Sequence, residues 1–90
     1  MKKQLHAYFN GNVQGVGFRY TACRAADGFV VTGWIKNLKD GRVEMVAEGE
    51  ESEIESFLKL LREKMQRNIQ NMEVNWRPAS GEWTVFETVY

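Results

Sequence analysis

Ninety residues set a single domain over 1–90 as the expectation and allow one modest core, burying about two-thirds of the surface that the unfolded chain exposes. Twelve Lys and Arg balance twelve Asp and Glu, so no global field draws the chain to nucleic acid or to an anionic membrane, and any anion site has to be local. The lone cysteine, Cys23, excludes an internal disulfide and a multi-cysteine metal cluster; with no apolar leader and no run of membrane-span length, the expectation is a soluble cytoplasmic protein.

The chain opens with an alternating strand from Lys3 to about Asn10, with Leu5, Ala7 and Phe9 on the face that meets the helices and His6 and Tyr8 on the other. His6 is the only histidine and has no second candidate at ligand spacing, so it reads as a sheet-surface residue and not as a metal ligand or a base.

Gly11 to Arg19 then joins this strand to a helix predicted over Tyr20 to Asp27. Gly15 and Gly17 bracket one apolar residue, which lets the backbone take positive φ and turn its N–H groups toward a common point, an anion cradle. Arg19 falls in the first turn of the helix, where orphan N–H groups and the helix dipole already favour negative charge, and its guanidinium fork suits a phosphate or a carboxylate. A plain strand-to-helix turn carrying a solvated arginine has the same residues. The dinucleotide fingerprint is absent, because its third glycine would fall on Tyr20, and so is the Gly-Lys-Ser/Thr ending of the nucleotide phosphate loop.

In the helix, Ala22, Cys23, Ala25 and Ala26 form a small-residue face that can lie close on a sheet, and Gly28 is expected to take the left-handed position that ends it. Cys23 reads as a small buried helix residue, since a Cys-x5-Arg phosphatase loop would need arginine where Phe29 stands. Phe29 to Asn37 and Arg42 to Glu48 are strands, and Asp40-Gly41 between them marks an antiparallel hairpin. Asn37 stands at the mouth of that hairpin, where its side chain could simply bond to its own turn.

Ser52 and Glu55 have capping-box spacing and open the clearest helix, whose stripe of Ile54, Phe57, Leu58, Leu61 and Met65 supplies the larger half of the core. After a polar connection from Arg67 to Asn71, with Ile69 tucked in, a fourth strand carrying Met72, Val74 and Trp76 is stopped by Pro78, and Trp83 to Tyr90 is extended. The order predicts an α+β, ferredoxin-like βαββαβ sandwich: an antiparallel sheet with both helices on one face, plus a C-terminal strand. That topology alone does not fix a function.

Three stretches together resemble the acylphosphatase family: Val13-Gln14-Gly15-Val16-Gly17-Phe18-Arg19; Gly33-Trp34-Ile35-Lys36-Asn37-Leu38 continuing after one residue as Asp40-Gly41-Arg42-Val43-Glu44; and the ending Phe86-Glu87 with Tyr90. The likeness spans nearly the whole chain, with the signatures in the right order on the right elements. It implies that Gln14, Gly15, Val16, Gly17 and Phe18 bind phosphate through backbone N–H groups, that Arg19 binds its oxygens, and that Asn37 holds the attacking water. Departures lie elsewhere: Gly28 and Val30 replace more usual helix and cap residues, the 66–71 connection lacks Gly-Pro, and Thr88 stands where an apolar residue is usual.

The chemistry is coherent with what the sequence offers. An acyl phosphate expels a carboxylate of pKa about 4, so no general acid has to protonate the leaving group, and positioning and electrostatics carry the reaction. The resemblance therefore implies a small-molecule acyl phosphate as substrate, inorganic phosphate as product and inhibitor, no cofactor, no metal and a monomer. Two other readings stay open: a non-catalytic module binding phosphate or an acyl phosphate such as carbamoyl phosphate, and an RNA-binding module, against which the third strand lacks the glycine and stacking aromatics of the RNA-recognition signature.

Overall fold

The computed structural model describes residues 1–90. Strand β1 (Lys2–Gly11) pairs antiparallel on one side with β3 (Val43–Glu50) and on the other with β4 (Ile69–Pro78). β2 (Val31–Asn37) pairs antiparallel with β3, and β5 (Phe86–Thr88) lies parallel to β2, giving the order β4-β1-β3-β2-β5. The sheet is therefore mixed and not wholly antiparallel: the ferredoxin-like core is antiparallel, and the added strand β5 breaks the pattern. Pro78 ends β4 on an edge of the sheet, where a missing N–H disturbs no ladder.

Alternation along the strands sends one set of side chains under both helices. Leu5, Ala7 and Phe9 of β1, Val43, Met45 and Ala47 of β3, and Val31 and Ile35 of β2 are buried in one cluster of 17 residues with Phe18, Ala22, Ala25 and Ala26 of α1 (Phe18–Ala26) and Ile54, Phe57, Leu61 and Met65 of α2 (Glu51–Met65). Fully burying a large apolar side chain stabilises by about 1.5–3 kcal/mol, so this layer is the main stabilising feature. Phe57 meets Phe86 edge-on at 5.3 Å between ring centroids, which fixes β5 to α2. No helix is long and apolar enough to cross a membrane.

Two local expectations are corrected. Helix α2 is entered earlier than the capping box requires: Glu50, in extended conformation, is the N-cap, it makes no side-chain capping bond, and Ser52 lies inside the helix. Acidic Glu51 and Glu53 in the first turn supply the favourable charge instead. Gly28 is not left-handed; the chain leaves α1 through a right-handed Asp27 and a tight turn in which Gly28 N–H donates to the Ala25 carbonyl at 3.1 Å. One position where crowding does demand glycine is Gly33, at φ 134° between β3 and β5, where a Cβ would lie 1.9 Å from the Val46 carbonyl oxygen.

Opposite the helices, Glu48 is almost fully buried beneath the turn that follows β4. Its carboxylate accepts bonds from Gln4 Nε2 (2.7 Å), from the Ser80 N–H and hydroxyl (2.7 and 2.8 Å) and from the Gly81 N–H (3.0 Å). Burial pushes the Glu48 pKa up and is the largest single influence, but the four bonds together outweigh it and hold the carboxyl below its ordinary value.

Candidate active site

The connection from β1 to α1 is pinned at both ends. Val13 and Phe18 are buried, and Phe18 packs against Phe9 with ring centroids 5.0 Å apart. Between them Gly15 and Gly17 take φ 75° and 77°, and a Cβ at either glycine would have no atom within 4 Å, so backbone conformation and not crowding demands glycine here. Left-handed Gly17 is the N-cap of α1, and the first helical ring closes only at Thr21, whose N–H donates to the Gly17 carbonyl at 2.9 Å. The N–H groups of Gln14, Gly15, Val16 and Gly17 donate to no acceptor in the chain. A run of free amide donors at the positive end of a helix has the geometry and polarity that suit an anion.

Gln14 contributes differently through its side chain. Its amide nitrogen donates to the carbonyls of Leu38 (2.7 Å) and Arg42 (2.9 Å), tying the loop to the hairpin between β2 and β3. That hairpin is itself closed by Leu38 N–H on the Arg42 carbonyl at 2.8 Å and by Arg42 on Asp40, through its N–H (3.1 Å) and its Nε (2.9 Å). The Arg42 backbone bond, opposed by desolvation, and then the guanidinium hold the Asp40 carboxyl below its ordinary pKa. Both ends of the hairpin are thus fixed relative to the loop.

Asn37 is the last residue of β2, in register with Val43. Its Oδ1 is buried and has no hydrogen-bond partner, so the turn-capping alternative is not what the side chain does. Leaving a buried acceptor unpaired costs about 1–3 kcal/mol, and such an atom in a folded protein calls for an explanation. Arg19 takes part in none of the four ion pairs; its guanidinium lies over the Tyr90 ring at 5.1 Å from the centroid. Gly15, Gly17, Phe18, Arg19 and Asn37 line one cleft of about 310 Å³. Two residues with free amides, an unpaired cation and the residue with the orphaned amide oxygen therefore line the same space, whereas Gln14 and Val16 are not part of its lining.

The sequence profile of the acylphosphatase family matches residues 5–88. The chain belongs to that family. It is 37% identical over 87 residues to an acylphosphatase of Caldanaerobacter subterraneus subsp. tengcongensis, covering 96% of this chain and 97% of that one. It is 44% identical over 78 residues to an acylphosphatase of Pseudomonas aeruginosa, covering 86% of each. In structure it is similar to the acylphosphatase from Bacillus subtilis, with a TM-score of 0.87 at 33% identity, over 98% of this chain and 99% of that one. As in these family members, the activity is hydrolysis of acyl phosphates.

Beyond the residues expected at the site from the sequence, Tyr20, Cys23, Thr88 and Tyr90 also line the acylphosphatase cleft. Cys23 is only half-buried and meets Thr88 Oγ1 through its sulfur at 3.4 Å, so it is not the plain core residue that its small-residue neighbours suggest. One signal in the sequence points to it, since it lies four residues after Arg19 and so on the same side of α1. For Thr88 no local signal exists, and Tyr90 is marked only as part of the family-like ending, because their place depends on β5 docking beside β2.

Proposed function

We propose that residues 1–90 act as one unit in which the loop 14–18 and Arg19 hold the phosphoryl group of an acyl phosphate and Asn37 holds the water that attacks it. The water oxygen forms a bond to phosphorus in line with the scissile bond. The bond from phosphorus to the bridging oxygen breaks, its electron pair leaves on the carboxylate, and the water's proton passes to a phosphoryl oxygen of the substrate itself. A carboxylate leaving group needs neither a general acid nor a Lewis acid, so the cradle and Arg19 have only to stabilise the equatorial oxygens. The observation that carries this reading is that Asn37, whose buried Oδ1 is left without a partner, lines the same cleft as Arg19.

The protein is read as a cytoplasmic monomer acting on a small molecule, with inorganic phosphate as product and competitive inhibitor. Its balanced charge favours no nucleic-acid or membrane partner. The test is hydrolysis of benzoyl phosphate in the presence of a chelator, beside an alkyl phosphate monoester. Rapid, chelator-insensitive cleavage of the acyl phosphate and little of the monoester is expected. A preference for the monoester would refute the leaving-group argument.

A further inference from the structure

We infer that Thr88, with Cys23, is a specificity-determining pair that favours acyl phosphates whose acyl group carries a hydroxyl or amino group one or two atoms beyond the carbonyl. The inference rests on the proposed reading of the cleft, in which the loop, Arg19 and Asn37 occupy the phosphoryl end. What remains of the lining for the acyl group is the buried Val13 together with Tyr20, Cys23, Thr88 and Tyr90. Tyr90 is stacked on Arg19, and the Tyr20 hydroxyl accepts from Arg24 at 3.2 Å on the exposed side of α1. The Thr88 hydroxyl and the Cys23 thiol are bonded only to each other, at 3.4 Å.

A threonine hydroxyl has one proton and two lone pairs, so contact with a single thiol leaves capacity for a ligand group. Thr88 is in register with Ile35 on β2, two residues before Asn37 on the same face of the sheet, which sets the hydroxyl along the cleft from the reacting end. The cleft, at about 310 Å³, is at the small end of ligand sites, which suits a short acyl chain. A hydroxyl carried into the cleft gives up water, and the pair replaces it. An apolar chain of the same shape would gain nothing from the pair.

The test compares glycoloyl phosphate with propanoyl phosphate, which differ only by a terminal hydroxyl in place of a methyl group. The quantity read is the glycoloyl-to-propanoyl ratio of kcat/KM in the wild type divided by that ratio in Thr88→Val, so that the intrinsic reactivity of the two leaving groups cancels. One neutral hydrogen bond gives a factor of about 3–10. The change should sit in KM, because the contact is made equally in ground and transition states, and Thr88→Ser should restore the ratio where Cys23→Ala lowers it in part. An unchanged ratio in Thr88→Val, with propanoyl phosphate still turned over, would overturn this inference and leave the hydrolytic reading intact. Failure of the wild type to turn over either compound would overturn that reading and this inference with it.

Discussion

Replacing Asn37 with alanine separates stability from catalysis in opposite directions. The Oδ1 of Asn37 is buried with no partner, so the native state already bears the cost of an unpaired acceptor, about 1–3 kcal/mol. Removing the amide relieves that cost and loses little packing at a half-buried strand end, so the unfolding free energy from urea should stay within about 0.5 kcal/mol of the wild type or rise, with an unchanged m-value. Loss of a preorganised polar group on the only nucleophile should lower kcat by about 10²–10³, or about 2.7–4 kcal/mol of transition-state stabilisation. KM and phosphate affinity should change little, since the loop and Arg19 are untouched. The measurements are kcat and KM on benzoyl phosphate, phosphate binding by calorimetry, and urea unfolding. A near-normal kcat accompanied by a lowered midpoint would refute the reasoning, because it would mean that the side chain supports its own turn and does not touch the water.

Arg19→Ala should lose most phosphate affinity and nearly all turnover, and Arg19→Lys should recover little because the planar fork is gone; wild-type phosphate binding by calorimetry in the alanine variant would contradict this. Gln14→Ala removes two bonds to the hairpin carbonyls and should cost about 1–3 kcal/mol of unfolding free energy, read as a lowered urea midpoint, while also lowering kcat, since the hairpin carries Asn37; an unmoved midpoint would refute the coupling. The folded-state pKa of Glu48 is depressed, so its contribution to stability is complete above the ordinary carboxylate pKa and is lost as pH falls through the lower folded value. Glu48→Gln should therefore flatten the acid limb of a stability-against-pH curve, and an unchanged limb would show that the four bonds do not favour the charged form.

Local rules make most of the scaffold legible. Alternation in β1 and β3, the Asp40-Gly41 turn and the apolar stripe of α2 each depend only on residues a few positions apart, and each is found as expected. Ser52 and Gly28 depart from expectation because several residues near a helix end can satisfy the same rule, and the neighbouring strand decides which one does: β3 runs on to Glu50, so α2 begins at once, with no room for a free serine cap. In the site, Gly15, Gly17 and Arg19 can be placed from spacing, whereas the double bond of the Gln14 amide to the hairpin cannot, because both acceptors are backbone carbonyls and carry no sequence signature.

The parallel strand β5 gives the cleft a timetable. The loop and the hairpin are joined by contacts that span up to 28 residues, but the wall formed by Cys23 and Thr88 joins residues 65 apart, and Tyr90, on which Arg19 stacks, also lies beyond β5. Closing that longer separation waits on the docking of Phe86 against Phe57, and contacts so distant in sequence are slow to form. A partly folded chain can thus present a formed phosphate cradle with one wall missing, able to bind the anion before it can hold the rest of a substrate. In a refolding experiment, recovery of phosphate binding should lead recovery of turnover on an acyl phosphate, and the interval between them would time the arrival of β5.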